Sequence, residues 1–239
     1  KGSGMVEQQS IVFVPGLMDD AFLWAHQVKF LSDIAHPIVA DITKQETVEA
    51  MAATVLDHAP GSFALAGFSL GGYVSLEIMR RAPARIRKLA LLCTSGRSDS
   101  EARREERRAL IARAHDRDGL EGVIRDDGAS VIHPDRMAEG PFVDELVAMA
   151  LRQGPEVFAR QNRACMDRPD SRPSLHLIEC PTLILSGRED RVLPPALSEE
   201  LERGISRARH VPIEESGHYA PLERPHAVTA LLREWLLYA

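Results

Sequence analysis

The sequence predicts a doubly wound α/β fold with a mostly parallel sheet of about six strands. Short β-branched or aliphatic runs alternate with segments that carry apolar residues at spacings of three and four. The runs are almost continuously apolar, which is typical of strands covered by helices on both faces. The predicted strands are 11–14, 37–40, 63–68, 86–93, 182–187 and 208–213, and the predicted helices include 47–58, 70–82, 196–203 and 221–238.

One interval interrupts this alternation. Between Cys93 and Cys180 the sequence contains no convincing strand, although a crossover between parallel strands needs only about a dozen residues. The excess has a helical pattern, with opposite charges three positions apart. We therefore expect a helical lid at 98–172, inserted between a first core segment at 5–97 and a second at 173–239. A solvated helical bulge without a role at the site is the alternative.

Composition limits the possible classes of function. The chain has 239 residues, of which 44% are hydrophobic, enough for one well-buried core with an insertion. A formal net charge of -6, with arginines interleaved among acids, argues against nucleic-acid binding. No apolar stretch reaches the roughly 20 residues of a membrane span, and no charged-then-apolar leader precedes the first strand. A soluble cytoplasmic protein without a membrane span is expected.

A G-x-S-x-G motif lies where a predicted strand gives way to a predicted helix. In GFSLGG, residues 67–72, Gly67 and Gly71 leave room for a sharp turn that projects the Ser69 hydroxyl outward. The backbone N–H of Leu70 would then point toward an oxygen atom bound beside Ser69, and the helix dipole would reinforce this donor. The context of the motif predicts a nucleophilic serine.

A nucleophilic serine needs a base, and the base needs a group that orients it. His218 lies in a loop just after the last predicted strand, where open α/β sheets place their ligands. Asp190 follows the preceding strand, with Glu189 beside it as a less favoured substitute. We expect Asp190 to accept the Nδ1 hydrogen of His218. Among the other histidines, His133 in the predicted lid is a weaker candidate for contact with substrate.

The order Ser69, Asp190, His218 and the residues around them resemble the α/β-hydrolase superfamily, most of all its small-molecule esterases and enol-lactonases. The resemblance rests on VFVPGL (12–17), GFSLGG (67–72), GREDRVLPP (187–195) and GHYAPLERP (217–225). It implies an α/β-hydrolase fold in which Leu17 donates the second oxyanion N–H and Trp24 packs near the site entrance. Family members usually have a histidine where this chain has Pro15, a departure that bears on the geometry of the loop.

The resemblance implies acyl transfer that needs neither a metal nor a cofactor. Ser69 would attack a carbonyl while His218 takes its proton, and water would then release the acyl group. A small-molecule carboxylic ester or lactone is the favoured substrate. The alternative is a carbon–carbon bond hydrolase, a lyase or a perhydrolase with the same triad, and a further alternative is a ligand receptor that retains it.

Apolar side chains near the site would suit an apolar acyl or ring group. Arg163, Arg168 and Arg172 are candidates to bind a substrate carboxylate, although arginines in charged helices are usually solvated. The sequence leaves the oligomeric state open. The residues expected to line the substrate pocket are Trp24, Phe68, Phe142, Met149, Phe158, Leu193 and Tyr219.

Overall fold

The predicted six-stranded sheet is confirmed in a computed structural model, which describes residues 9–116 and 119–239. Its strands are β1 (Ser10–Val14), β2 (His36–Val39), β3 (Phe63–Phe68), β4 (Ile86–Leu92), β5 (Thr182–Gly187) and β6 (Ala208–Ile213). Their order across the sheet is β2-β1-β3-β4-β5-β6, and every neighbouring pair is parallel. The order changes direction between β1 and β3, which is where α/β sheets of this kind form a crevice.

Helices cover both faces of the sheet. They are α1 (Ala25–Leu31), α2 (Val48–His58), α3 (Leu70–Arg81), α4 (Glu101–His115), α5 (Gly119–Val131), α6 (Gly140–Gln153), α7 (Pro155–Asp167), α8 (Pro195–Gly204), α9 (Ala220–Glu223) and α10 (Pro225–Tyr238). In β1, Val12 and Val14 pack with residues of α2, α3 and α8, whereas Ile11 and Phe13 pack with residues of α1 and α10. This two-sided burial explains the almost continuously apolar strands. No helix within the described ranges combines the length and apolar character that a bilayer crossing requires.

The predicted C-terminal helix over 221–238 is two helices in the structure. Helix α9 ends at Glu223 and α10 begins at Pro225, with Arg224 between them at φ -131° and ψ 57°. Proline has no N–H and disfavours the helical conformation in the residue before it. The prediction of one continuous helix is therefore wrong at this point.

Between β4 and β5 the chain forms the four helices α4 to α7, which we call the insertion. Three of them match helical patterns in the sequence, whereas α5 is an additional one, and the described residues of this stretch contain no strand. Ala114 and Val123 pack in a small apolar cluster with Met18 from the loop after β1. The insertion is thus joined to the core beside the carboxyl end of β1. Residues 5–8 of the predicted first core segment and 117–118 of the predicted lid lie outside the described residues.

The carboxyl ends of parallel strands meet at one edge of a sheet. The segments that follow β1, β3, β5 and β6 carry Leu17, Ser69, Asp190 and His218, respectively. Four residues that are distant in the sequence are thereby brought to the same edge.

Candidate active site

Ser69 occupies a sharp turn between β3 and α3. Its backbone has φ 52° and ψ -114°, a conformation that residues other than glycine rarely adopt. The N–H of Ser69 donates to the Leu92 carbonyl at 3.0 Å, and the Ser69 carbonyl accepts from the Thr94 hydroxyl at 2.8 Å. Both backbone polar groups of Ser69 are therefore hydrogen-bonded to residues at or just after the end of β4, which stabilises the strained turn.

Two glycines of the motif allow backbones to approach closely. A Cβ atom on Gly67 would lie 2.3 Å from the Gly71 carbonyl oxygen, and one on Gly71 would lie 2.1 Å from the Val14 carbonyl oxygen. Because these neighbours are backbone atoms, they cannot move aside without displacing a strand or a helix. The glycines are thus required for the packing of α3 against β1 and β3.

Ser69, His218 and Asp190 form a continuous chain of hydrogen-bonded side chains. His218 Nε2 lies 3.0 Å from Ser69 Oγ, and His218 Nδ1 lies 2.8 Å from Asp190 Oδ2. Asp190 Oδ1 accepts from the backbone N–H groups of Val192 and Leu193 at 2.9 Å and 2.8 Å. Asp190 is 3% exposed and His218 is 5% exposed. With its Nδ1 hydrogen donated to a fixed carboxylate, the imidazole presents Nε2 to the serine as an acceptor.

Glu189, the alternative orienting acid, has a different partner. Its carboxylate accepts from the Ser216 N–H at 2.9 Å and lies 3.9 Å from His133 Nε2. His133 itself is not on the wall of the cavity that contains Ser69, as far as the described residues define that wall. The structure brings Asp190, and not Glu189, into contact with His218.

Charges around His218 favour its protonated form. Burial opposes a charged imidazole, but Asp190, the hydrogen bond to it, Asp19 and Glu223 together outweigh burial and raise the pKa of His218 above its usual value. An imidazolium that forms when the serine loses its proton is therefore stabilised. By the same effect, a higher pH is needed to hold the imidazole in its neutral, proton-accepting form.

Asp19 is a buried acid that the sequence analysis missed. Its Oδ2 accepts from the Gly16 N–H at 3.0 Å, and its Oδ1 accepts from the Tyr219 hydroxyl at 3.1 Å. Burial raises the pKa of Asp19 to about 7, against the lowering effects of the Tyr219 hydrogen bond and of His218. The carboxyl group of Asp19 thus joins the loop after β1 to Tyr219, the residue that follows His218. No spacing pattern in the sequence predicts this role for Asp19.

Leu17 and Leu70, the two predicted oxyanion donors, both have backbone N–H groups and line the cavity that contains Ser69. Leu70 is the first residue of α3, where an N–H has no partner within the helix. Leu17 lies in the loop after β1. Neither N–H donates a hydrogen bond to any acceptor in residues 9–116 and 119–239. Both residues line the same cavity as Ser69, and paired backbone donors of this kind suit a tetrahedral oxyanion.

The cavity beside Ser69 has a volume of about 380 Å³, which lies in the range of small-molecule sites. Four of the predicted pocket residues line it: Phe68, Phe158, Leu193 and Tyr219. Phe158 comes from α7, so the insertion contributes to the wall. Of the three candidate arginines, Arg168 lines the cavity, whereas Arg163 is exposed and Arg172 pairs with Asp170.

Trp24, Phe142 and Met149 do not line the cavity, and their prediction as pocket residues is corrected by the structure. Trp24 is fully buried, with its ring centroid 4.7 Å from that of Phe13. The Phe142 ring lies under the guanidinium of Arg136 at 4.8 Å. All three side chains pack in or against the apolar cluster on one face of the sheet. A large apolar side chain serves a core as well as a pocket, so residue type alone does not distinguish the two.

A buried glutamate ties the His218 loop to the insertion. Glu223 accepts three backbone N–H groups, among them those of His133 at 2.7 Å and Gly217 at 3.1 Å. The His218 N–H donates to the Val131 carbonyl, at the end of α5, at 2.7 Å. The loop that holds His218 and the end of α5 are therefore fixed to each other.

The described part of the chain contains one group of three potential metal ligands, namely Cys93, Asp190 and His218, whose ligand atoms lie within 4.8 Å of one another. Burial and the nearby Asp190 raise the pKa of the Cys93 thiol well above its usual value, which disfavours the thiolate that binds metals. Asp190 and His218 are already hydrogen-bonded to each other. The arrangement favours an orienting hydrogen bond over metal coordination.

Comparison with known proteins identifies the family. A curated relative, the pimeloyl-[acyl-carrier protein] methyl ester esterase of Neisseria meningitidis serogroup B (strain H44/76), is 28% identical over 177 residues, which are 71% of this chain and 67% of the relative. A thermophilic esterase from Thermogutta terrifontis, solved with malate bound, superimposes with a TM-score of 0.87 at 30% identity, covering 95% of this chain and 89% of that one.

The enol-lactonase of Burkholderia xenovorans LB400 shares the fold, with a TM-score of 0.86 at 24% identity over 99% of this chain and 94% of that one. The match to the Alpha/beta hydrolase family extends over residues 11–231 and so includes residues from all six strands and the insertion. The chain therefore belongs to the alpha/beta hydrolase family.

Proposed function

We propose that this protein is a serine hydrolase that cleaves a carboxylic ester or a lactone of a small molecule through an acyl-enzyme on Ser69. The observation that carries the proposal is the hydrogen-bonded chain from Ser69 through His218 to Asp190, at the wall of a cavity of small-molecule size. The names of the similar proteins, which include esterases and an enol-lactonase, support the choice of ester over other bonds.

In the first half of the proposed reaction, Ser69 Oγ attacks the carbonyl carbon while His218 Nε2 takes the hydroxyl proton. The carbonyl electron pair moves onto oxygen, which the N–H groups of Leu17 and Leu70 bind. Collapse of this intermediate breaks the bond to the alkoxy oxygen, which leaves with the proton from His218. In a lactone, the leaving hydroxyl stays attached to the acyl group.

In the second half, a water molecule gives a proton to His218 and attacks the acyl carbon. The second tetrahedral intermediate uses the same two N–H donors, and its collapse restores the Ser69 hydroxyl with the proton from His218. Asp190 keeps its negative charge throughout, holds the imidazole in one tautomer and stabilises the imidazolium.

We further propose that the insertion is the lid of this site, in the predicted span 98–172 between core segments 5–97 and 173–239. Arg107 from α4, Val131 from α5 and Phe158 from α7 all line the cavity. A cover built from three helices would exclude bulk water and shape the space for the acyl group.

The test is hydrolysis of p-nitrophenyl esters from acetate to laurate by the wild type and by Ser69→Ala. We expect Ser69→Ala to fold normally and to lose turnover by at least about 1,000-fold. Ser198→Ala is the control, because Ser198 is a buried serine whose hydroxyl has no partner in the described part of the chain.

Retention of more than a few per cent of activity in Ser69→Ala would remove Ser69 from its role. Stoichiometric labelling of Ser69 by a fluorophosphonate without ester turnover would instead reassign the reaction to carbon–carbon hydrolysis or to ligand reception by an activated serine.

A further inference from the structure

Two buried arginines share one carboxylate on the wall of the cavity. Arg107 Nε lies 2.7 Å from Asp99 Oδ2, and Arg168 Nη1 lies 2.6 Å from Asp99 Oδ1. The side chains of Arg107, Arg168 and Asp99 are 10%, 5% and 4% exposed, respectively. The three groups together leave one positive charge uncompensated, away from bulk water.

The other charged groups that the structure describes on this wall do not supply the missing negative charge. Arg97 and Arg103 also line the cavity and pair with Glu200 and Glu106 at the surface. Asp19 is the other acid of the wall, and it bonds to the Gly16 N–H and the Tyr219 hydroxyl. A buried unbalanced charge is costly unless an anion accompanies it.

The guanidinium groups are held firmly but are not saturated with acceptors. Arg107 Nη1 donates to Asn162 Oδ1 at 2.8 Å, and Arg168 donates to the carbonyls of Arg97 and Cys165 at 3.0 Å and 2.6 Å. The Arg168 guanidinium also lies 3.9 Å from the centroid of the Tyr73 ring.

Nη2 of Arg107 donates to no acceptor among residues 9–116 and 119–239, the side chains of 127–130 aside. It is also not among the fully buried polar atoms that lack a partner. Because Arg107 lines the cavity, this nitrogen is available to a molecule within it.

The charge and the space indicate the kind of ligand. One excess positive charge matches a monoanion, and a carboxylate has the two oxygens that suit the planar fork of a guanidinium. A cavity of about 380 Å³ admits a small molecule and not a macromolecular anion. Ser69 and His218 line the same cavity, so a carboxylate bound at Arg107 belongs to a molecule whose other end reaches the serine.

We propose that the substrate is an ester or lactone that carries a free carboxylate at the end remote from the scissile bond, and that Arg107 binds this carboxylate with the added charge of Arg168. Asp99 is a positioning residue that holds the two guanidinium groups together. The inference rests on the proposed function, since it names the substrate class of that same site.

The first experiment compares kcat/KM at pH 8 for monomethyl and dimethyl esters of straight-chain dicarboxylic acids with four to eight carbons. The two members of each pair differ only at the remote end, where one has a carboxylate and the other a neutral methyl ester, and kcat/KM of the dimethyl ester is halved to allow for its two equivalent ester bonds. At the best chain length we expect the monomethyl ester to be preferred by roughly 10- to 100-fold, the usual range for a charge-assisted hydrogen bond. A ratio near one at every length, with good turnover of both esters, would overturn the inference and leave the serine hydrolase standing.

The second experiment measures the same ratio in Arg107→Gln and Arg107→Lys. We expect Arg107→Gln to abolish most of the preference and Arg107→Lys, which keeps the charge but not the fork, to retain part of it. The matched control is Arg108→Gln in the same helix, because Arg108 pairs with Glu101 and Glu105 at the surface and should leave the ratio unchanged. Equal ratios in the wild type and in a folded Arg107→Gln would mean that a group other than Arg107 binds the substrate carboxylate.

A binding measurement separates this inference from the reaction chemistry and from a failure of Arg107→Gln to fold. Calorimetry with Ser69→Ala should show binding of monomethyl adipate at least tenfold tighter than binding of dimethyl adipate, whether or not the wild type hydrolyses either. Absence of ester turnover with this preference intact would overturn the proposed reaction and keep the anion site. Equal binding of the two compounds would overturn the anion site whatever the variants show.

Discussion

The two sides of the cavity are built from different parts of the chain and are held in different ways. On one side, Ser69, Asp190 and His218 follow strands of the sheet, and we call these three residues the sheet wall. On the other side, Asp99, Arg107 and Arg168 lie at the borders of the insertion and within α4, and we call them the insertion wall. Backbone geometry fixes the sheet wall, through a strained turn and short loops, whereas side-chain ion pairs fix the insertion wall.

The position of the reacting groups and the selection of the substrate can thus be set by separate elements of the fold. If this is correct, a change in the sheet wall should reduce turnover of every ester. A change in the insertion wall should instead alter the ratio between charged and neutral esters.

The largest effect is expected from Asp190→Asn. Asparagine would favour the wrong imidazole tautomer, so kcat should fall by about 10,000-fold for neutral and carboxylate-bearing esters alike. Glu189→Gln is the matched control, because Glu189 bonds to the Ser216 N–H and its amide analogue can still accept that bond. Steady-state kinetics of both variants with one neutral and one charged ester decide the matter, and the reverse ranking would make Glu189 the orienting acid.

An intermediate effect is expected at Glu223, which joins the loop of His218 to His133 of the insertion. In Glu223→Gln one carboxylate oxygen becomes an NH₂ group, so at least one of the three backbone N–H groups loses its acceptor. A buried unsatisfied donor costs about 1 to 3 kcal/mol, which corresponds to a drop in Tm of roughly 3 to 10 °C for a chain of this size. We also expect kcat to fall by about 10- to 100-fold, because the loop that carries His218 keeps its bond to the Val131 carbonyl but loses part of its hydrogen bonding to Glu223.

Glu215→Gln provides the comparison for Glu223→Gln, since Glu215 is an exposed acid of the same loop that pairs with Arg224. Thermal melts and ester kinetics of the two variants should differ clearly. Equal behaviour would mean that the hydrogen bonds of Glu223 are dispensable for stability and turnover.

A smaller effect, with a defined sign, is expected for the stability of Asp19→Asn. Because burial raises the pKa of Asp19 to about 7, the folded protein retains a proton that the unfolded chain loses near pH 4. Stability is therefore lost as pH rises from about 4 to about 7, and the loss is complete above that range. Asn cannot ionise, so Asp19→Asn should raise Tm by several degrees at pH 8 and by much less at pH 5.

Asp33→Asn serves as a control of opposite sign. The hydrogen bond from Arg233 lowers the pKa of Asp33, so its ionised form supports the fold above pH 4 and its removal should not raise Tm at pH 8. An equal gain in both variants would reflect a general effect of lost negative charge rather than the burial of Asp19.

The smallest effect is expected in the pH dependence of kcat/KM. The pKa of His218 is raised despite its burial, chiefly by Asp190 and its hydrogen bond and in part by Asp19. Activity should therefore fall on the acid side with a midpoint above 6.5, the ordinary value for histidine. In Asp19→Asn this midpoint should move to lower pH by a fraction of a unit, because one negative neighbour of His218 is gone. A midpoint that stays in place would exclude Asp19 from the electrostatics of the base.

The sheet and the sheet wall could be predicted because each depends on local sequence. The apolar runs define the strands, and Ser69, Asp190 and His218 each follow a strand within a short loop. The ends of parallel strands meet, so contact between these residues follows from topology alone. The break at Arg224 was missed because apolar spacing continues across it, although Pro225 marks it plainly.

The insertion wall could not be predicted in the same way, because its contacts join residues that are distant in the sequence. Arg107 bonds to Asn162, and Asp99 bonds to Arg168. One local signal for Arg107 exists nonetheless. Arg107 lies three residues before Leu110 and seven before Ala114, so this spacing places it on the apolar face of α4. The other charged residues of the helix are not buried.

The insertion also has a consequence for chain entropy and for the order of folding. The chain leaves β4 at Leu92 and returns to the adjacent strand only at Thr182, so the whole insertion is one loop between neighbours in the sheet. Pairing across such a distance is a slow step of folding. Loop-closure entropy, however, grows only with the logarithm of length, and doubling a loop costs only about 0.6 kcal/mol. The part of the molecule that we expect to select the substrate is therefore also the part whose length the sheet can most easily tolerate changing.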